Sequence, residues 1–144
     1  MCDALISPNS KSVTNLNVSC NGLGEEGIML LFTILTSSNC TLTSLNVSHN
    51  RLGDRVLKEF PEAFTNENCA LTGSDIRDNE FGDEGIKYLY KALTDANCKL
   101  QNLNLRGNRN ITNVGKQCLF EAITGTDWEV REGLVLCRSI KSEA

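Results

Sequence analysis

Four asparagines recur every 29 residues, and the residues around them repeat in the same register. They are Asn21, Asn50, Asn79 and Asn108. A fixed period of this length is typical of a solenoid, in which each repeat buries its apolar side only against its neighbours. The period therefore predicts a linear stack of similar units, and it constrains the fold more than any other feature of the chain.

Each repeat begins with a short alternation of apolar and polar residues, which predicts a strand with one buried face. The apolar columns are Val13, Leu42, Leu71 and Leu100; Leu16, Leu45, Ser74 and Leu103; and Val18, Val47, Ile76 and Leu105. After each asparagine, apolar residues at helical spacing predict a helix, as at Ile28, Leu31 and Leu35 in the first repeat. Because a helix returns the chain to the start of the next strand, the strands are predicted to stack in parallel.

The repeated asparagines are predicted to satisfy backbone groups where each strand leaves the sheet. An asparagine amide supplies a donor and an acceptor, so one buried side chain can serve the repeats on either side. Glycines follow at Gly24, Gly53 and Gly82, where we expect a turn with an unusual backbone conformation. Asp54 and Asp83 come next, and we expect them to accept from free amides at the helix starts.

The repeated pattern LxxLxLxxNxLG resembles the leucine-rich repeat, and its 29-residue length with a full helix is similar to the ribonuclease-inhibitor-like subclass. The resemblance covers roughly residues 13 to 124. It implies an α/β solenoid in the form of a short horseshoe arc, with parallel strands on the concave face and helices on the convex face. It also implies that a protein partner docks on the concave face.

The register divides the chain into predicted segments. Four repeats are assigned to residues 13–41, 42–70, 71–99 and 100–124, after the tail of a truncated repeat at 1–12 and before a C-terminal cap and tail at 125–144. The tail is inferred because Leu5 and Ile6 lie one period before Ile34 and Leu35.

The two ends of the stack are predicted to differ. The N-terminal side has almost no polar cap, which is expected of a fragment, of a minimal protein, or of an edge covered by a partner or by self-association. At the C-terminal side Trp128 is interpreted as a cover for the last repeat, with a binding role as the alternative. Val130 and Val135 are candidates for a degenerate last strand.

Three positions break the internal rules of the repeat. Pro61 interrupts the second helix, which is predicted to start late, after a looser segment at residues 55–59. Ser74 replaces a core leucine, which predicts a void or a small polar pocket. One extra residue near Asn110 lengthens the fourth loop. Each position is either a functional site or neutral drift.

The cysteines follow the repeat and not a metal or disulfide pattern. Cys40, Cys69 and Cys98 each precede a strand, always after an asparagine, so we predict one buried column of small apolar groups. No CxxC-like pair is present, so no metal site is predicted. The odd total of seven cysteines, together with an N-terminus unlike a secretory signal, favours the cytoplasm, or the host cytosol for a bacterial effector.

Composition and motifs argue against several functional classes. A chain of 144 residues is predicted to form one domain without a separate catalytic unit. Its formal net charge of −4 argues against a nucleic-acid surface, and no apolar run approaches the roughly 20 residues that span a bilayer. His49 is the single histidine and no motif places a nucleophile beside it. No enzymatic activity, cofactor, nucleic-acid partner or membrane association is therefore expected.

The residues that alternate with the core are expected to form the binding surface. Their character changes along the stack, from small neutral groups in the first two repeats to charged groups in the last two. Arg77 and Arg106 are predicted to be neighbours, and they either serve an interface or are neutralised by Asp75 and Asp78. The residues proposed for partner binding are Asn46, His49, Asp75, Arg77, Asn104 and Arg106.

The leading functional hypothesis is a non-enzymatic protein-interaction module that binds an unidentified protein on the concave face. One alternative is the repeat part of a larger innate-immune sensor, or of a bacterial effector acting in a host cell. Another is regulation of a small GTPase, since Ran GTPase-activating proteins share the repeat subclass, although no residue here matches their functional positions.

Overall fold

A computed structural model of the protein describes residue 5, residue 7 and residues 13–139. Leu5 is helical and buried. Ile6, most of the predicted N-terminal tail and residues 140–144 of the C-terminal tail lie outside the described residues. The described elements are, in order, β1 (Asn15–Asn17), α1 (Gly24–Leu35), β2 (Ser44–Asn46), α2 (Asp54–Lys58), α3 (Phe60–Phe64), β3 (Gly73–Asp75), α4 (Asp83–Leu93), β4 (Asn102–Asn104), α5 (Asn113–Ile123), β5 (Trp128–Arg131) and β6 (Val135–Arg138).

The strands form one sheet in the order β1-β2-β3-β4-β6-β5. The first four strands are parallel and keep the sequence register, so that Leu16, Leu45, Ser74 and Leu103 are successive partners. The core lies between this sheet and the helices, and it includes an aromatic cluster in which the rings of Phe60 and Phe64 stack 4.2 Å apart. The predicted α/β solenoid, with parallel strands on one side and helices on the other, is confirmed.

A ladder of buried asparagine amides joins the repeats, as the period predicts. Asn79 Oδ1 accepts from the backbone N–H groups of Asn50 and Leu52 at 2.9 and 3.1 Å. Its Nδ2 donates to the carbonyls of Val47, Ile76 and Arg77. Asn50 and Asn108 make the equivalent bonds, whereas Asn21, in the first described repeat, is exposed and its side chain donates only to Ser19 O.

The unusual backbone conformation lies at the residue before each asparagine. Cys20, His49, Asp78 and Gly107 all have positive φ, between 50° and 70°. Among the predicted glycine positions, Gly24 is left-handed as well, with a φ of 64°. The prediction is wrong for Gly53 and Gly82, which are extended with φ of −99° and −127°. Glycine at these two positions is explained by a close carboxylate from the preceding repeat. An added Cβ would lie 3.0 Å from Glu25 Oε1 at Gly53 and 3.3 Å from Asp54 Oδ2 at Gly82.

That carboxylate belongs to a second ladder at the helix starts. Glu25, Asp54 and Asp83 accept from the backbone N–H of Gly53, Gly82 and Thr112 at 3.2, 2.7 and 2.8 Å. The expectation for Asp54 and Asp83 therefore needs correction, because each acts on the helix start of the following repeat and not on its own helix. The Thr112 hydroxyl donates to the other oxygen of the Asp83 carboxylate, and this bond together with the one from the Thr112 N–H holds the pKa of the Asp83 carboxyl below its usual value.

The second helix differs from its prediction. The segment at residues 55–59 is not loose, because the chain is helical as α2, breaks at Glu59 and is helical again as α3. Pro61 has no N–H to donate to the Leu57 carbonyl, so a continuous helix is interrupted here. Pro61 lies instead in the first turn of α3, where a missing N–H has little cost.

The C-terminal segment forms a hairpin and not one further strand of the repeat. Val130 lies in β5 and Val135 in β6, and β6 pairs with β4 in antiparallel orientation. Trp128 is buried, and its Nε1 donates to Leu93 O at 3.0 Å. The Arg138 guanidinium lies 5.0 Å from the centre of its ring. The hairpin thus covers the free edge of the fourth repeat, while the segment boundary at residue 125 remains a prediction.

Two other irregular positions have specific surroundings. Ser74 is only 6% exposed and its Oγ has no hydrogen-bond partner within the described chain. The extra residue of the fourth loop is accommodated by Asn110, whose Nδ2 donates to Glu80 O at 3.2 Å. The described structure therefore places an unpaired hydroxyl in the core, where an apolar group of similar size would avoid its desolvation cost.

The cysteine column is buried, and burial raises the pKa of two of its thiols. Cys40, Cys69 and Cys98 are each less than 8% exposed and none forms a disulfide in the described structure. The pKa values of Cys69 and Cys98 lie above the ordinary thiol value because their surroundings disfavour the charged thiolate. These cysteines have the properties of structural residues and not of reactive ones.

We predict that Asn79→Ala destabilises the protein by roughly 3–5 kcal/mol, because it leaves several buried backbone groups without partners. Asn21→Ala is the matched control in the same column, and it should cost less than about 1 kcal/mol since that side chain is exposed. Urea unfolding followed by circular dichroism measures both free energies. Equal losses for the two variants would contradict the ladder as the source of stability.

We predict that Ser74→Ala stabilises the fold by about 1 kcal/mol, because it removes the unpaired buried hydroxyl at nearly constant volume. The same unfolding measurement tests this, with Ser44→Ala as the control on an exposed position of the neighbouring strand. A loss of stability in Ser74→Ala would mean that the hydroxyl has a favourable partner and that the site is a polar pocket.

Candidate functional site: the concave strand face

The concave face consists of the outward side chains of β1 to β4 and of the next outward position after each strand. Its residues are Asn15, Asn17, Ser19, Ser44, Asn46, Ser48, Gly73, Asp75, Arg77, Asn102, Asn104 and Arg106. Ser48 departs from the expected pattern, since it is only 1% exposed. Ser48 O accepts from the buried Asn50 amide, as the equivalent carbonyls of Arg77 and Arg106 accept from the next two asparagines. The open surface is therefore narrower at the second repeat than the sequence predicts.

One column of this face has a structural role that the sequence interpretation missed. Asn46, Asp75 and Asn104 each accept, through Oδ1, the backbone N–H of the residue two positions later, at 2.9, 3.2 and 3.1 Å. Asn17 does the same in the first repeat. The signal was present in the sequence, because an Asn or Asp at this position in every repeat is typical of such local turns.

This role uses only part of each side chain. The bond to the backbone occupies Oδ1, while Nδ2 of Asn46 and Asn104 has no acceptor among the described residues. Asp75 has a second oxygen, which lies 3.4 Å from Arg77 Nε. The column therefore presents amide donors in the second and fourth repeats, with an ion pair between them.

Two pairs of side chains lie on or beside this face. Besides the Asp75–Arg77 ion pair, His49 and Asp78, which follow the outermost face positions and precede the asparagines, approach each other with 3.1 Å between His49 Nε2 and Asp78 Oδ2, and both of these side chains are close to half exposed. The predicted neutralisation of the arginines thus holds for Asp75, whereas Asp78 has His49 as its partner. Both pairs remain accessible, so each contributes little to the free energy of unfolding.

Arg106 has a different environment from Arg77. The two arginines are neighbours in register, but Arg106 Nη2 donates to Glu132 O at 3.2 Å. Its side chain also packs on Gly133, where an added Cβ would lie 2.8 Å from Arg106 Nε. Arg106 is thereby directed toward the turn between β5 and β6, and it supports the hairpin as well as bordering the concave face.

The concave face presents hydrogen-bond donors, acceptors and an ion pair. No hydroxyl or thiol within the described residues donates to His49, so its pair with Asp78 activates no nucleophile there. Residues 13–139, with residues 5 and 7, contain no cluster of three or more His, Cys, Asp or Glu side chains suited to a metal ion. In the same part of the chain, no helix has the length and apolarity needed to cross a membrane.

Comparison with known proteins agrees with this architecture. A family model described as the leucine-rich repeat matches residues 9–32, 38–58, 75–89 and 96–120. No curated protein matches the chain. The four matched segments cover more than half of the sequence and follow the four strand–helix units. The chain therefore belongs to the leucine-rich repeat family.

Proposed function

We propose that the protein is an interaction module that binds a protein partner through its concave face. Leucine-rich repeats commonly bind proteins and are generally non-enzymatic scaffolds. The observation that carries the proposal is the unused hydrogen-bonding capacity of the face, above all the amide donors of Asn46 and Asn104. The proposed binding residues are Asn46, His49, Asp75, Arg77, Asn104 and Arg106.

The shape of the face supports close approach at its centre. Gly73 lies in β3 with Ser44 and Asn102 beside it in register. A Cβ built on Gly73 would meet no atom within 4 Å, so the space above β3 is open. A partner side chain can enter there and be contacted from either side by amide and guanidinium donors, and arginine is enriched at protein interfaces. A surface rich in carbonyl or carboxylate acceptors is the matching partner chemistry.

The six proposed residues differ in what they can offer. Arg77 and Asp75 form an accessible pair, as do His49 and Asp78, and a partner can exchange these bonds for its own. Arg106 contributes less, because its guanidinium already donates to the hairpin turn. A double charge reversal at Arg77 and Arg106 would therefore confuse lost binding with a loosened hairpin, and it is a poor first test.

The remaining hypotheses stay predictions. Membership of a larger innate-immune sensor, action as a bacterial effector, regulation of a small GTPase and the ribonuclease-inhibitor-like subclass rest on the resemblance. A cytoplasmic location rests on the cysteine count and the N-terminal sequence, and self-association rests on the sparse polar cap at the N-terminal edge. No specific contact on the concave face favours one of these over general protein binding.

The test blocks the centre of the face without changing the core. We predict that Gly73→Trp weakens partner binding at least about tenfold, because the indole fills the open space above β3. Lys91→Trp is the matched control, since Lys91 is exposed on α4 in the same repeat. Proteins captured from a cell extract by the wild type and by each variant are quantified by mass spectrometry, and the Kd of each captured protein is then measured in purified form.

The expected result is a partner that binds the wild type and Lys91→Trp equally and is lost with Gly73→Trp. Thermal unfolding of both variants checks that the fold is retained. A purified partner that binds all three proteins with the same Kd would place the interface elsewhere and contradict the concave-face proposal.

A further inference from the structure

An open cleft lies beyond the fourth repeat, between α5 and the hairpin. It has a volume of about 550 Å³ and begins at Gly107 and Asn108, where β4 leaves the sheet. Three cationic side chains line it, Arg109 from the loop, Lys116 from α5 and Arg131 from the end of β5. We call this feature the cationic cleft. Its walls also include the apolar side chains of Ile111, Phe120 and Val130.

The charge of the cationic cleft is uncompensated within the described structure. None of its lining residues is acidic, and none of its three cations forms an ion pair with a described carboxylate. Three like charges around one cavity repel each other, and the repulsion is relieved when an anion binds between them. This concentration is notable in a chain whose formal net charge is −4.

A second observation at the same place also indicates an anion. The backbone N–H groups of Asn21, Asn50 and Asn79 each donate to the asparagine of the following repeat, at 3.3, 2.9 and 3.1 Å. Asn108 has no following asparagine, and its N–H has no acceptor among the described residues although the residue is buried. An anionic oxygen in the cationic cleft would provide an acceptor of the kind that every earlier repeat possesses.

We propose that the cationic cleft binds a phosphate monoester that carries an apolar or aromatic group. A phosphate dianion has three terminal oxygens, which match two guanidinium groups, one ammonium group and a backbone donor better than a single carboxylate does. Phe120 is 46% exposed, and its ring offers an apolar surface to the group attached to the phosphate. The cleft volume lies within the range of small-ligand sites.

Two sources share this chemistry, a phosphorylated side chain on a protein and a small phosphorylated molecule. The binding site is independent of the concave-face proposal, since its cations lie on the loop, α5 and β5. The two proposals can therefore fail separately.

The experiment titrates the ¹⁵N-labelled protein with phenyl phosphate and follows the backbone amide resonances. We expect saturable binding with the largest shifts at Gly107, Asn108 and Gly133, and weaker binding of inorganic phosphate, which lacks the ring. The affinity for phenyl phosphate should fall between pH 7.5 and 5.5, because the second pKa of a phosphate monoester is about 6 and the monoanion interacts less strongly.

The decisive variant is the triple substitution Arg109→Gln, Lys116→Gln and Arg131→Gln, which should weaken phenyl phosphate binding by at least about 30-fold. The control with the same change in charge is Arg55→Gln, Lys58→Gln and Lys91→Gln, at exposed positions on α2 and α4, and it should stay within about threefold of the wild type. Trp128 fluorescence and thermal unfolding report whether the hairpin is intact, and Arg109→Gln alone tests the site without altering a strand or helix.

A phosphotyrosine peptide, its unphosphorylated form and AMP then distinguish the sources. Tighter binding of the phosphopeptide assigns the cationic cleft to a protein ligand, and tighter binding of AMP assigns it to a small molecule. The proposal is overturned if phenyl phosphate does not saturate, if its shifts lie outside the cleft, or if the wild type and the triple variant bind it equally.

Discussion

The structure depends on one buried amide per repeat that satisfies the backbone of two repeats at once. At Asn79, Oδ1 serves the preceding repeat, while Nδ2 serves carbonyls of its own repeat and of the preceding one. Neither repeat can fill its hydrogen bonds alone, so stability belongs to the interfaces between repeats and not to the units. The carboxylates of Glu25, Asp54 and Asp83 add a second set of such bonds, in which each repeat serves the one that follows.

These ladders determine which polar groups of the concave face have no structural partner. The position before each asparagine must adopt a left-handed backbone, and the second outward position of each strand accepts a backbone N–H. Both positions nevertheless keep polar atoms directed away from the core, such as the amide nitrogen of Asn46 and the imidazole of His49. The concave face is thus built from residues with a structural role, and under the proposed function its specificity would rest on the polar groups that take no part in that role.

The periodic part of the fold was predictable from the sequence, because repeated residues occupy equivalent places. The strand register and the asparagine ladder follow directly from the 29-residue spacing. The left-handed column was not predictable, since Cys20, His49, Asp78 and Gly107 share no residue type and only the backbone reveals their common φ. The hairpin was missed for a related reason. Its antiparallel pairing is set by contacts with β4 and Trp128, and these have no counterpart one period earlier.

At the candidate sites, the sequence placed the concave residues in the correct columns but not their partners. Register gives the neighbours of Arg106 along the sheet, whereas its bond to Glu132 O depends on a turn that lies outside the period. The same turn explains the position of the cationic cleft. The hairpin pairs with the β4 region where the strand of a further repeat would otherwise pair, since Leu105 N donates to Leu134 O and Arg138 N donates to Gln101 O. The hairpin supplies no asparagine to accept from the Asn108 N–H, as Asn108 accepts from the Asn79 N–H one repeat earlier. The hairpin therefore covers the last strand of this solenoid and leaves its last turn open. At that turn three cationic residues lie beside the backbone N–H of Asn108, which has no acceptor among the described residues.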